Sequence, residues 1–215
     1  MVLPKSTYDD PNYWNGGITG VKLAWGYTGT NGYLEELQDN NLVEGETVAF
    51  NGQLRKLWDR IQGQDFTNAK VLELGGATGY LSKIAKHFFP SITYDMVDIC
   101  SFWDNDIETT VDNFIKGDMV TLLQNRQQFK NNSYDVVISK LSLECLDDTE
   151  LNTLIPEINR IARVQQVHIF SNPDNLNQAT KDQNAYNQKT LAEWAAMGFE
   201  SGTILQDRSG NELVV

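Results

Sequence analysis

Apolar residues along this chain follow two periods. Runs such as Val71-Leu72-Glu73-Leu74 and Tyr134-Asp135-Val136-Val137-Ile138 have the length and β-branched content of buried strands. Leu151, Leu154, Ile155, Ile158 and Ile161 instead recur at three- and four-residue spacing, the stripe of an amphipathic helix. Residues 70–215 alternate these two patterns. They predict strands at Lys70–Leu74, Thr93–Asp98, Phe114–Lys116, Tyr134–Ser139 and Gln166–Phe170. Helices are predicted at Gly79–Phe88, Asp106–Asn113, Val120–Arg126, Asp148–Ile161 and Gln188–Met197. Asp147-Asp148-Thr149 offers a cap for the fourth helix, in which Pro156 predicts a kink or a late start, and Gly198 ends the fifth. A final hairpin is expected from Gly202–Gln206 and Glu212–Val215, turned by Asp207-Arg208-Ser209-Gly210-Asn211. Strand alternating with helix argues for an α/β fold whose mostly parallel sheet is covered on both faces.

The first 45 residues have another character. Tyr8, Tyr13, Trp14, Trp25, Tyr27 and Tyr33 are interspersed with Gly16, Gly17, Gly20, Gly26, Gly29 and Gly32, with little periodicity beyond a short helical stretch at Gly32–Asp39. Glu46–Ile61 follows as an amphipathic helix with Val48, Leu54, Leu57, Trp58 and Ile61 on its apolar side. We therefore divide the chain into an extension, residues 1–45, and a domain, residues 46–215.

Composition narrows the function. At 215 residues the chain suits one domain with a sizeable core. Its formal net charge of −12 repels phosphate backbones, so nucleic acid is not the expected partner. Arg55, Lys56 and Arg60 read as the solvated face of one helix. Cys100 and Cys145 make no disulfide framework, and Cys100 reads as a small packing residue. The absence of a long apolar run and of a secretory signal makes a cytoplasmic protein the default expectation. His87 and His168 form no metal-ligand cluster with acids, so no metal is expected; His87 suits a helix C-terminus and His168 a strand interior.

The chemistry concentrates in residues 71–79, Val-Leu-Glu-Leu-Gly-Gly-Ala-Thr-Gly, followed by the helical pattern Tyr80-Leu81-Ser82-Lys83-Ile84-Ala85-Lys86. Strand, Gly-rich turn and helix bring bare backbone and a helix N-terminus up to a nucleotide-like ligand. A dinucleotide site would need Gly at 77 and 80, where the chain has Ala77 and Tyr80. The alternative spacing, acid-x-Gly-x-Gly-x-Gly, fits as Glu73, Gly75, Ala77 and Gly79 with one Gly replaced. That pattern resembles motif I of the class I S-adenosylmethionine (SAM)-dependent methyltransferases. Asp98 at the end of the second strand, Gly117-Asp118-Met119 after the third, and Tyr134–Ser139 as the fourth follow in that family's order. A lone acid among 29 Asp and Glu is ordinarily a solvated charge; Asp98 and Asp118 stand apart because each closes a strand in sequence.

The resemblance, over about residues 46–215, implies a Rossmann-like, doubly wound, seven-stranded sheet with a terminal antiparallel hairpin. It implies SAM as the cofactor and methyl transfer as the reaction. Glu73, Gly75, Gly76, Ala77, Thr78 and Gly79 would shape the turn around the methionine part, and Asp98 would take both ribose hydroxyls. Ile99 would pack on the adenine face, and Asp118 with Met119 would contact the adenine. Ser139 lies where the fourth strand meets the methyl group. No catalytic base is assigned: Ser139, Lys140, Ser142, Glu144 and Cys145 all lie near the end of that strand, and each could equally face solvent. DNA amino-methyltransferases have Pro-Pro-aromatic after this strand, unlike Ser139-Lys140-Leu141-Ser142; cytosine-C5 enzymes use Pro-Cys, and neither cysteine here follows proline. Trp14, Trp25 and Tyr27 either pack on the sheet edge or form a lid that contacts substrate, with Lys140 and Glu144 as further substrate candidates. A small-molecule acceptor is expected. A protein acceptor, or a SAM-binding regulatory or assembly protein without methyl transfer, remains the alternative; Asn172-Pro173-Asp174 reads as a turn near the pocket rim.

Overall fold

A computed structural model describes residues 4–11, 67–76, 79, 82, 85–86, 89–99, 111–171, 186–199, 205–206 and 212–214. Five strands run parallel: β1 (Lys70–Leu74), β2 (Thr93–Asp98), β3 (Asn113–Lys116), β4 (Tyr134–Lys140) and β5 (Ala162–Ser171). Two short strands, β6 (Leu205–Gln206) and β7 (Glu212–Val214), add antiparallel pairs beside β5. The sheet order is β3-β2-β1-β4-β5-β7-β6. The seven-stranded expectation thus resolves into five parallel strands and this two-strand addition.

The chain builds outward from β1 to β3, then returns to the other side of β1 with β4. The direction of winding reverses between β1 and β4, and open α/β sheets bind ligands outside the carboxyl ends of the strands at such a point.

Register assigns the faces. Leu72, Leu74, Val97, Val137 and Phe170 belong to one core cluster with Leu151, Leu154, Ile155, Ile158 and Ile161 of helix α3 (Asp148–Ile161). Among the described residues, the shorter helices α1 (Lys5–Tyr8) and α2 (Met119–Leu123) come before it and α4 (Leu191–Ala196) comes after; Ser82, Ala85 and Lys86 are helical as well. Trp194 of α4 is fully buried and stacks on Phe170 with ring centroids 3.7 Å apart. By strand alternation, Val71, Glu73, Tyr94, Met96, Val136 and Ile138 face the other side. No helix among the described residues is long and apolar enough to cross a membrane.

Several boundaries differ from the sequence expectation for local reasons. Helix α3 starts at Asp148 with no delay and runs through the exposed Pro156. A reciprocal cap fixes that start: Glu150 N donates to Asp147 Oδ1 at 2.9 Å, and Asp147 N donates to Glu150 Oε2 at 2.7 Å. Asp147→Ala should cost ~1 kcal/mol, read as a lower urea midpoint at unchanged m-value. Helix α2 stops before Arg126 because Asn125 Oδ1 accepts from Gln127 N at 3.2 Å, a turn that competes with the helix. Helix α4 starts late, at Leu191, because Thr190 and Glu193 form a second capping box.

Strand β5 starts at Ala162, before the expected Gln166. Its polar beginning pairs with β4 through a register shift near Tyr134 and Val136, and Arg163 Nε donates to Asp135 Oδ1 at 2.6 Å. Val111 and Asp112 are not helical, because Asp112 Oδ2 accepts from Tyr94 N at 2.6 Å and the next residue opens β3. The rest of that predicted helix, 106–110, lies outside the described residues. So do the helix at 46–61, the stretch at 32–39, and the hairpin turn at 207–211.

Candidate functional site

The turn after β1 combines two requirements that only glycine meets. Gly75 has φ +70°, and its N–H donates to Val97 O at 2.8 Å. A Cβ there would stand 2.3 Å from Ser142 Cβ. At buried Gly76 a Cβ would meet Met96 Sδ at 1.9 Å and Glu73 Cδ at 2.9 Å. Gly79, φ +69°, donates its N–H to Gly76 O at 2.9 Å and accepts from Ser82 Oγ at 2.6 Å. The turn is therefore tight and bare on its described positions. Ala77 and Thr78 lie outside the described residues.

Beneath the turn, Glu73 is 1% exposed and accepts a hydrogen bond from the Tyr94 hydroxyl at 2.9 Å. Burial pushes its carboxyl up to about 8; the Tyr94 bond opposes the shift and the Asp98 charge adds to it. Glu73 is accordingly protonated at neutral pH. Its hydroxyl partner, Tyr94, was not marked by the sequence; a cross-strand pair of this kind becomes visible only with the register.

Asp98 closes β2 and is 7% exposed, while its main-chain carbonyl accepts from Gly117 N at 2.9 Å. Ile99 beside it is half-buried. Asp118 has a structural duty beside the one expected for it. It is exposed, and its carboxylate accepts from Val120 N at 3.1 Å and Thr121 N at 2.9 Å, capping α2. Met119, the first residue of α2, brings its Cε to 3.6 Å from the vacant Cβ position of Gly75. The ends of β1, β3 and β4 thus converge at Gly75, Met119 and Ser142.

Ser139 lies one layer inside. It is 1% exposed, pairs in register with Leu74, and its Oγ meets His168 Nδ1 at 2.8 Å. Burial pushes the His168 imidazole down to about 3, so the ring is neutral and ties β4 to β5. His168 is a sheet-interior residue, in keeping with its place in the strand pattern.

The residues after Ser139 reach the sheet's carboxyl edge. Lys140 and Glu144 are both buried, and Ser142 Oγ donates to Leu74 O at 2.6 Å. Burial pushes the Cys145 thiol up to about 12, with the charges of Glu144, Asp98 and Asp9 adding to the shift and Lys5 opposing it. A raised thiol pKa disfavours the thiolate form that a nucleophilic cysteine needs. Lys5 of α1 lies 3.0 Å from Glu150 and also pairs with Asp9, which brings the start of the chain to the beginning of α3. Trp14, Trp25 and Tyr27, together with Cys100, His87 and residues 172–174, lie outside the described residues. Among the described residues, no group of three or more His, Cys, Asp or Glu could hold a metal ion.

Comparison with known proteins agrees with the fold. Residues 48–209 match the family described as a methyltransferase domain. No curated protein matches the sequence. Among solved structures, a SAM-dependent methyltransferase from Archaeoglobus fulgidus superimposes with a TM-score of 0.55 at 18% identity, over 68% of this chain and 66% of that one. A phosphoethanolamine N-methyltransferase of Haemonchus contortus, bound to phosphomonomethylethanolamine and S-adenosylhomocysteine, gives 0.54 at 17% identity over 68% of this chain and 35% of its own. Geranyl diphosphate C-methyltransferase of Streptomyces coelicolor gives 0.55 at 16% identity, over 73% of this chain and 62% of its own. The match spans between about a third and two thirds of these proteins' own lengths.

Proposed function

Since this chain belongs to the SAM-dependent methyltransferase family, we propose that the methyl group it transfers goes to a small molecule. The observation that carries this reading is that Asp98, Lys140 and Glu144, near the carboxyl ends of β2 and β4, are each less than 10% exposed. Buried polar groups of this kind suit recognition of a compact acceptor. The Haemonchus and Streptomyces enzymes, which bind small molecules, lend support by analogy of fold.

The described residues fit SAM. The bare turn at Gly75 and Gly76 leaves its main chain open to close approach, and Asp98 ends β2 where one carboxylate can accept from both hydroxyls of a ribose. Ile99 and Met119 supply apolar contact for a flat base. Asp118, occupied with α2, holds Met119 in position and reaches the adenine edge only with a remaining lone pair. Gly79 completes the turn, and we extend the turn's role to Ala77 and Thr78. Glu73, being neutral, supports the turn from below. Ser139 backs the site through His168.

Bound SAM supplies an electrophilic methyl group on a positively charged sulfur. The carboxylates of Asp98 and Glu144, at the carboxyl ends of the strands, suit that charge. Orientation of an acceptor and exclusion of water fall to Lys140, Glu144 and the extension at 1–45. Holding two reactants in line contributes up to ~7–11 kcal/mol of barrier reduction. We propose the extension as the lid of the 46–215 domain, with Trp14, Trp25 and Tyr27 facing substrate. The Lys5–Glu150 pair supports that arrangement.

The test is calorimetric titration of SAM into the purified protein, followed by assay of S-adenosylhomocysteine release. Small amines, alcohols, thiols and carbon acids are compared with basic peptides as acceptors. Turnover confined to the small molecules is expected. Turnover on basic peptides alone would overturn the acceptor class, in line with the net charge of −12.

A further inference from the structure

Resting on the reading that Gly75 belongs to the SAM turn, we propose that Ser142 is a positioning residue that holds this turn ready for the cofactor. Its hydroxyl donates to the carbonyl of Leu74 at 2.6 Å, and Leu74 is the last residue of β1, directly before the turn. Its Cβ and Oγ also occupy the space that a side chain on Gly75 would need, 2.3 Å and 2.9 Å from the ideal Cβ position. One serine therefore fixes the carbonyl that enters the turn and closes off the side of its first glycine.

The preceding residue is arranged to aim this serine. Leu141 has φ +55°, a left-handed conformation that a leucine adopts only when its surroundings impose it. The Leu141 N–H donates to Ile169 O at 2.9 Å, which anchors the residue to β5. The chain then turns back across the end of β1, so that Ser142 meets Leu74 and a short 3-10 helix begins at Leu143. Cys145 N donates to Ser142 O at 3.1 Å, which fixes the serine from its other side. A strained leucine tied to β5, a serine bonded to β1 and a helical turn carrying buried Glu144 form one continuous connection. Through it, the segment after β4 sets the conformation of the turn after β1. Gly75, whose N–H is bonded to Val97 O, reports on that conformation.

Ser142→Ala removes the hydroxyl and leaves the Cβ. The expected result is a SAM Kd about tenfold weaker, what one hydrogen bond contributes net. Amide exchange at Gly75 should become about tenfold faster, while the ligand-free unfolding midpoint falls by only the ~2–4 °C that one lost hydrogen bond implies. A general structural role would lower that midpoint too, but leave Gly75 exchange no faster than that of its neighbours. Ser142→Cys keeps the volume and weakens the donor, and should shift Kd and exchange in the same direction; it is decisive if the alanine variant fails to fold. An unchanged Kd with unchanged Gly75 exchange overturns the proposal. If wild type binds no SAM, the cofactor assignment of the turn fails instead. Gly75 exchange then judges Ser142 alone: faster exchange in the variants upholds its hold on the turn, and unchanged exchange overturns it.

Discussion

Glu73→Gln should make the protein more stable in alkaline solution, and little different in acid. In the folded chain the carboxyl is pushed from 4.5 up to about 8, first by burial, against the Tyr94 hydrogen bond and with the help of Asp98. A group whose pKa rises on folding contributes its full stability below the unfolded value and loses it as pH climbs through the folded one. The loss begins near pH 4.5 and is complete above pH 8. At ~1.4 kcal/mol per pH unit this sets an upper bound of ~5 kcal/mol, of which relaxation leaves ~2–4 kcal/mol. Glutamine keeps the shape, still accepts from the Tyr94 hydroxyl and has no proton to lose. Urea unfolding at pH 6 and pH 9 should therefore show wild type weakening with pH and the variant nearly level. Parallel curves for the two proteins would mean that Glu73 ionises in the fold at its ordinary pKa.

Asp98→Ala should lower SAM affinity by ~1.5–3 kcal/mol, or roughly 10- to 150-fold in Kd, the range for hydrogen bonds to a charged group. The argument is positional. Asp98 ends β2 beside β1, with little exposure, next to a turn that carries no side chain on Gly75 or Gly76. The substitution also removes a negative charge that raises the Glu73 pKa, so the loss of affinity should come with a downward shift of Glu73. Calorimetry on the folded variant decides the matter. Wild-type affinity would move the ribose contact elsewhere, whereas loss of the near-native circular dichroism would make Asp98 a folding residue.

The strands were legible because their apolar runs are short, β-branched and bounded by polar turns. Both edges of β1 and β2 follow from that pattern alone. The first residues of β5 were hidden because Arg163, Val164 and Gln165 are not buried there and join the sheet through main-chain pairing with β4. Asp118 illustrates a different limit. An aspartate directly before a helix can serve as a ligand, as an N-cap or as both, and the capping bonds to Val120 N and Thr121 N become visible only in the fold. Ser139 and Lys140 show the limit of period two. Neighbouring strand residues point to opposite faces, so Ser139 meets His168 within the sheet, and no pattern in one strand says which face receives which. The Gly-rich turn was readable because glycine's freedom is local. The serine that completes it arrives from 67 residues further along the chain, a separation only the folded register bridges.

The place of β1 in the sheet has a consequence for how this protein comes into being on the ribosome. Its partners are β2, which follows soon, and β4, whose first residue is Tyr134. A chain growing at ~5–20 residues per second leaves one side of β1 without a neighbour for several seconds. During that interval Val71, Leu72 and Leu74, nearly inaccessible in the finished sheet, border an open row of main-chain donors and acceptors. β1 is thus the first strand of the parallel sheet to be made, yet its second side closes only when β4 emerges, and nascent chains halted before β4 should be the ones that aggregate.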